Sequence, residues 1–118
     1  MSALKPSKTA GTLRTALKSQ VVIVDGAMGT MLQAANPSMA DFQDHEGCNE
    51  ILNVTRPEVV AEIHQKYFEA GVDAVETNTF GANWANLAEY GIEDRIYELA
   101  FAGAQIARKV ADDFSTPT

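Results

Sequence analysis

The aliphatic run 21–24 leads into Asp25 and a glycine-containing turn. A short, unbroken apolar run that ends at a turn is typical of a strand buried on both faces of a parallel sheet. A second run follows Gly71 directly and spans about 72–77. The hydrophobic pattern therefore predicts two parallel strands, at about 21–25 and 72–77, each followed by polar residues.

The region between the two predicted strands contains the clearest helix signal. Apolar residues recur at helical spacing over about 57–70, and Gly71 suits the end of such a helix. Thr55 is predicted to be the N-cap, with Pro57 in the first turn and Glu58 completing a capping box. The apolar stripe of this helix consists of Val60, Ile63, Tyr67 and Phe68.

Weaker periodicity predicts four further helices, at about 12–19, 30–35, 83–90 and 92–114. The aromatic side chains of the last two, including Trp84, are expected to pack in the core rather than to hold a cofactor. The expected core positions of the last helix are Ile96, Leu99, Ala100, Ile106, Ala107 and Val110.

Two parts of the sequence leave alternatives open. The stretch 37–53 is polar and has little periodicity, so it is expected to be either a surface connection or a functional loop. His64 lies on the flank of the apolar stripe in the predicted helix. A structural or solvated role is favoured there over catalysis or metal binding.

The order of elements predicts a βαβ unit with a right-handed crossover, which belongs to the α/β class. About two βα units are expected after a leading helix, with residues 1–11 as a flexible arm and residues 12–118 as an incomplete domain. A sheet of two strands leaves both outer edges unpaired. The chain is therefore expected to be the opening part of a larger fold.

Composition narrows the possible functions. The 118 residues carry a net charge of -7, which disfavours nucleic acid and anionic membranes as partners, and no apolar run could span a membrane. All 16 acidic residues follow residue 20, whereas four basic residues precede it; this basic start is expected to be a solvated arm rather than a targeting signal. The single cysteine, Cys48, favours a cytoplasmic protein, and one cysteine with two histidines is a poor set for a zinc site.

Polar residues follow both predicted strands and are expected to meet at one edge of the sheet, because parallel strands end on the same side. Asp25 and Glu76 supply carboxylates. Thr77 and Asn78 supply a hydroxyl and an amide, and the turn at Gly26 supplies backbone N–H groups. This set suits a small zwitterion, whose ammonium group meets a carboxylate and whose carboxylate meets hydroxyl and N–H donors.

Two other ligand chemistries would use the same residues. A phosphate is disfavoured, because the turn at 26–30 lacks the lysine of a P-loop and does not match the dinucleotide-binding pattern. The carboxylates of Asp25 and Glu76 could instead act as an acid–base pair.

Four stretches carry a pattern that is more specific than any single motif: Asp25–Thr30, Gly47–Asn53, the predicted helix at 55–71, and Glu76–Gly81. In this order and spacing they resemble the homocysteine S-methyltransferase family, most closely its form in the cobalamin-dependent methionine synthases. The resemblance extends from about residue 13 to about residue 114.

The resemblance implies that the chain is the N-terminal portion of a (β/α)8 barrel of the TIM type. In that family a zinc-activated thiolate of L-homocysteine takes a methyl group from methylcobalamin, and the remaining barrel and the folate and cobalamin modules are partners. By position, Asp25 would pair with the homocysteine ammonium group beside the Gly26 backbone, and Thr77 would meet its carboxylate. The other residues implied for the pocket and its support are Glu76, Asn78, Asn49 and Asn53.

The resemblance also implies what this sequence lacks. The family's zinc ligands are three cysteines from later barrel strands, and Cys48 lies in a different motif. We therefore predict no catalytic residue, no metal ligand and no cofactor in the isolated chain, and no methyl transfer by it. Two alternatives stay open: a non-catalytic domain that forms homo-oligomers through its strand edges, or a relative that uses another methyl donor, such as a betaine or S-methylmethionine.

Overall fold

Helices make up most of the structure, a computed structural model that describes residues 8–115. The leading helix begins at Lys8, earlier than predicted, and residues 1–7 of the predicted arm lie outside the described residues. Within the described part, no helix is long and apolar enough to cross a membrane. The helices are α1 (Lys8–Leu17), α2 (Met28–Ala34), α3 (Leu52–Thr55), α4 (Pro57–Glu69), α5 (Trp84–Glu89) and α6 (Ile96–Phe114), with 3₁₀ turns at Asn49–Ile51 and Glu93–Arg95.

The two longest helices, α4 and α6, form the centre of the fold and occur where the apolar periodicity predicts them. They pack against each other, and α4 also contacts α2 and α3. Pro57 is the first residue of α4, and Gly71 follows its end with a φ of +104°, which glycine adopts without strain. The buried positions of α6 are Leu99, Gly103, Ala107 and Val110, while Ile96, Ala100 and Ile106 are half-buried.

The two predicted strands meet in parallel but do not form a regular sheet. Val24 and Ala74 form a single bridge, and the Asp73 N–H donates to the carbonyl oxygen of Ile23 at 2.8 Å. The expectation that the first run is buried on both faces is wrong, since Val21 is 84% exposed and Ile23 is 56% exposed. A strand gains its burial and ladder hydrogen bonds from neighbouring strands and covering helices, and residues 8–115 supply only this one pairing.

The start of α4 differs from the predicted capping box. Thr55 ends α3, and its hydroxyl donates to the carbonyl oxygen of Asp41 at 2.6 Å. Arg56 holds the N-cap position of α4 without a side-chain cap bond, and its guanidinium forms ion pairs with Asp41 and Glu58. The prediction of Thr55 as N-cap is wrong, because its side chain ties the preceding loop to α3.

The stretch 48–53, for which no regular structure is predicted, lies in the core. The surface-connection alternative is wrong for this part, because its apolar side chains are buried in both clusters of the core. One core cluster contains Leu32, Leu52, Val60 and Ile63, and the other contains Cys48, Ile51, Leu87 and Leu99.

The prediction of aromatic core residues is wrong for Trp84, which is 68% exposed, and for Tyr97, which is 78% exposed.

Candidate functional site

The five residues predicted for the site line one shallow recess of about 100 Å³. The bridge between Val24 and Ala74 brings them together, because it aligns the ends of two segments that run in the same direction. The sequence-based expectation that these polar residues meet therefore agrees with the geometry. The residues that line the recess are Asp25, Gly26, Ala27, Met28, Glu76, Thr77, Asn78 and Phe80.

Asp25 connects the two sides of this recess. Its Oδ1 atom accepts a hydrogen bond from the backbone N–H of Glu76 at 2.8 Å. Its Oδ2 atom accepts none from the described residues, and the side chain is half-buried. One carboxylate oxygen is thus left for a ligand, and an ionised carboxylate is a strong acceptor for an ammonium group.

In the turn after Asp25 the left-handed backbone conformation, which glycine adopts most easily, belongs to an alanine. Ala27 lies in the left-handed region with φ 51° and ψ 30°, whereas Gly26 has no positive φ. This conformation costs about 1–2 kcal/mol for a residue with a Cβ atom. Backbone strain of this kind is common at ligand-binding sites, and here it lies in the wall of the recess.

The segment 76–80 forms the opposite wall. Glu76 and Thr77 are exposed, and the Thr77 Oγ1 atom lies 2.6 Å from the Thr79 Oγ1 atom, so the two hydroxyls share a hydrogen bond. Phe80 also lines the recess, and its side chain is fully exposed. This wall therefore offers a hydroxyl, a carboxylate and an apolar ring.

Asn78 lines the recess but also belongs to a buried hydrogen-bond network. Its Nδ2 donates to the backbone oxygen of Asn49 and to Oδ1 of Asn53, each at 3.0 Å. In return, Asn53 Nδ2 donates to the backbone oxygen of Asn78 at 2.8 Å. The amide donors of Asn78 are thus occupied, and Asn49 and Asn53 make the contacts expected of a brace.

The residues on both sides of this recess fall within a stretch, 22–118, that matches the family described as homocysteine S-methyltransferase. The chain belongs to that family. Among curated relatives, the methionine synthase of Mycobacterium tuberculosis is 58% identical over 101 residues, and that of Mycobacterium leprae is 56% identical over 101 residues. Each match covers 86% of this chain but only 8% of the relative.

Solved structures of homocysteine methyltransferases agree with the fold. MmuM from Escherichia coli in its metallated form matches with a TM-score of 0.67 and 30% identity, over 86% of this chain and 35% of that chain. Its oxidised form matches with a TM-score of 0.69 and 30% identity, over 86% and 34%. The chain is therefore part of a TIM-type barrel, although the two predicted βα units are not confirmed.

Membership of this family raises the question of a metal site, and the described residues do not fit one. Among them, no group of three His, Cys, Asp or Glu side chains could hold an ion. The buried Cys48 donates from Sγ to Glu50 Oε2 at 3.7 Å. Burial, with a smaller effect of the Glu50 charge, raises the pKa of this thiol, and a protonated thiol is neither a good ligand nor a good nucleophile.

His64 is fully buried, so the solvated alternative for this residue is wrong. Neither of its ring nitrogens has a hydrogen-bond partner within the described part of the chain. Burial lowers the pKa of the imidazole, and the negative charge of Asp25 opposes that shift. This burial within α4 leaves the structural role as the favoured interpretation.

Two residues in or near the recess, Phe80 and Glu50, are not among the site residues predicted from the sequence. Phe80 lines the recess, and its only signal is an apolar residue at the end of the polar stretch 76–79. Glu50 is buried and accepts a hydrogen bond from the Gly81 N–H at 2.7 Å. Its signal is an acidic residue directly before two aliphatic ones, in a stretch without polar periodicity.

Proposed function

We propose that this chain forms the amino-acid-binding side of the homocysteine pocket of a methionine synthase. The observation that carries the proposal is the unbonded Oδ2 atom of Asp25 in a recess that also offers the Thr77 hydroxyl. The 58% identity with a methionine synthase supports this enzyme over a relative with another methyl donor.

In the proposed complex, Asp25 Oδ2 accepts a hydrogen bond from the ammonium group of L-homocysteine, and Glu76 adds a second negative charge on that side. Thr79 can donate to Thr77 across their short contact, which leaves the Thr77 proton for the carboxylate of the substrate. The space beside Gly26 is open, since a Cβ atom there would meet no protein atom within 4 Å. Phe80 supplies apolar surface for the methylene groups.

Methyl transfer needs groups that the described residues do not supply. We propose that the whole protein holds zinc on cysteines elsewhere, where the metal would lower the pKa of the homocysteine thiol, and that methylcobalamin is the methyl donor. These 118 residues alone are then expected to bind homocysteine without methylating it. The remaining barrel and the folate and cobalamin modules would be the partners, in a cytoplasmic enzyme.

Asp25→Asn in the full-length protein tests the proposal. Asparagine keeps an oxygen that can accept from the Glu76 N–H but removes the charge that faces the ammonium group. Because a hydrogen bond to a charged group contributes about 1.5–3 kcal/mol, the dissociation constant for L-homocysteine is expected to rise about 10- to 100-fold. Isothermal titration calorimetry measures this change directly.

Asp73→Asn is the matched control. Asp73 Oδ2 likewise accepts a backbone hydrogen bond, from the Ile23 N–H at 2.9 Å, but Asp73 does not line the recess. Its substitution is expected to leave the dissociation constant within about twofold, because the acceptor oxygen is retained. Unchanged affinity in Asp25→Asn, or an equal loss in both variants, would contradict the proposal.

A further inference from the structure

The loop 76–81, which forms one wall of the recess, is held by hydrogen bonds to the rest of the protein at residues 76, 78 and 81. The Glu76 N–H donates to Asp25, Asn78 exchanges hydrogen bonds with Asn53, and the Gly81 N–H donates to Glu50. The side chains between these anchors, those of Thr77 and Phe80, are exposed toward the recess. The positions of the ligand-facing groups thus depend on the anchors.

Glu50 is the anchor with the most unusual environment. The residue is 6% exposed, with Oε1 accepting from the Gly81 N–H at 2.7 Å and Oε2 accepting from Cys48 Sγ at 3.7 Å. Burial of a carboxylate is costly unless hydrogen bonds compensate for lost water. The carboxyl oxygen of Glu50 supplies the acceptor that the buried Gly81 N–H needs, so this contact holds the end of the loop.

Gly81 is fitted closely to this anchor. A Cβ atom at Gly81 would lie 2.6 Å from Glu50 Oε1 and 2.5 Å from Asn86 Nδ2. The Gly81 carbonyl oxygen accepts from Asn86 Nδ2 at 2.9 Å and from the Asn83 N–H at 2.8 Å. Gly81 has no positive φ, so a side chain at this position would displace Glu50 or Asn86 rather than strain the backbone.

We propose that Glu50 is a positioning residue for homocysteine, which acts through the Gly81 amide to set where Phe80 and Thr77 stand in the pocket. The inference rests on the proposed function, because it assigns the recess to that substrate. Glu50 does not line the recess and has no contact with it except through the loop. Its effect is therefore expected on substrate binding and not on the chemical step.

Steady-state kinetics of the full-length enzyme tests this role with Glu50→Ala and Glu50→Gln. Glu50→Ala is expected to raise the KM for homocysteine at least tenfold, with kcat and the KM for the methyl donor within twofold, as when binding common to ground and transition states is lost. Glu50→Gln, which keeps an oxygen for the Gly81 N–H, is expected to restore the KM to within threefold. Glu46→Ala, at an exposed acidic residue four positions before Glu50, should change neither parameter.

A merely structural role gives a different result. Loss of folded enzyme would lower kcat in proportion to the active fraction and leave the KM for homocysteine unchanged, and that outcome would overturn the proposal. If Glu50→Ala does not yield folded protein, Glu50→Asp carries the same test, since its carboxylate is one methylene too short to reach the Gly81 N–H in the same geometry.

A double-mutant cycle tests the route through Gly81. Gly81→Ala is expected to raise the KM for homocysteine as Glu50→Ala does. The KM of the double variant should not exceed the higher KM of the two single variants. Independent, multiplicative effects would overturn the inference. Asp25→Asn serves as the reference: if it leaves homocysteine binding intact, the proposed function fails, whereas a loss there without any change in Glu50→Ala refutes the positioning role alone.

Discussion

His64 combines complete burial with two unpartnered ring nitrogens among the described residues. A buried polar group without a hydrogen-bond partner costs about 1–3 kcal/mol. The neutral ring is the less costly form, and burial accordingly lowers the pKa of His64 from its usual 6.5. The residue therefore links the stability of α4 to pH.

The free energy of unfolding is expected to fall as the pH decreases below about 6.5, because the unfolded chain then takes up a proton at His64 that the folded chain binds only at lower pH. His64→Leu should weaken this pH dependence and raise stability at pH 7 by about 1 kcal/mol, since it removes the unpaired polar atoms. Urea unfolding between pH 8 and pH 5.5 measures both effects.

His45→Gln is the control for that experiment. His45 is half-buried and packs its ring edge against Tyr90, with centroids 6.0 Å apart. The pH dependence should persist in this variant. A His64→Leu protein that loses stability with acid as steeply as the wild type would contradict the assignment.

Gly103 determines how closely α6 approaches the loop that carries the site. A Cβ atom at this position would lie 2.8 Å from Asn53 Nδ2 and 2.9 Å from Thr79 Cγ2. Glycine inside a helix costs about 0.5–1 kcal/mol relative to alanine, so helix propensity alone favours replacement. The close packing opposes replacement by alanine, so helix propensity and packing change the free energy of unfolding in opposite directions.

Gly103→Ala is expected to lower the free energy of unfolding by about 1–3 kcal/mol, because overpacking outweighs the gain in helix propensity. Ala104→Gly, at the next and exposed position of α6, calibrates the propensity effect and should cost about 1 kcal/mol. Urea denaturation of both variants decides the point. A Gly103→Ala protein more stable than the wild type would show that the loop moves aside at little cost.

The elements that could be predicted from sequence are those whose signals are local. α4 and α6 have apolar stripes at helical spacing, and both form. The strands predicted at 21–25 and 72–77 need partners far along the chain, so their β-branched residues indicate a propensity without determining whether a sheet forms. Thr55 has the residue type of an N-cap, yet its hydroxyl bonds to Asp41, 14 residues away.

The candidate site divides in the same way. Asp25 and the stretch 76–78 could be expected to meet, because parallel segments end on one side. Glu50 could not be predicted, because its bond to the Gly81 N–H joins residues 31 apart and has no repeating signature. The left-handed conformation of Ala27 could not be predicted either, since alanine favours other conformations.

At the scale of the whole molecule, several large apolar side chains are exposed among the described residues. The match covers 35% of the E. coli homologue, and the remaining barrel that we propose as a partner would cover such surface. Exposed apolar patches and unpaired edges otherwise favour association. The large exposed apolar residues include Val21, Ile23, Val24, Phe80, Trp84, Tyr97 and Phe101.

The 118-residue chain is expected to self-associate, with an average mass that rises above 12.7 kDa with concentration. Salt should strengthen the association, because it screens the repulsion due to a net charge of -7. Val21→Lys should weaken it, whereas Gln20→Lys adds the same charge at the preceding exposed position and should have a smaller effect. In sedimentation equilibrium, a single 12.7-kDa species at every concentration would refute this expectation.

The pairing between Ile23 and Asp73 also bears on how the protein is made. These residues lie 50 apart, and a ribosome that adds roughly 5–20 residues per second needs about 3–10 s to deliver the second after the first. During that interval the aliphatic run at 21–24 lacks its partner, and transiently exposed apolar segments of this kind favour association with other chains. Because α4 lies between the two segments in the chain, all of its residues are synthesised before the pairing that assembles the site can form.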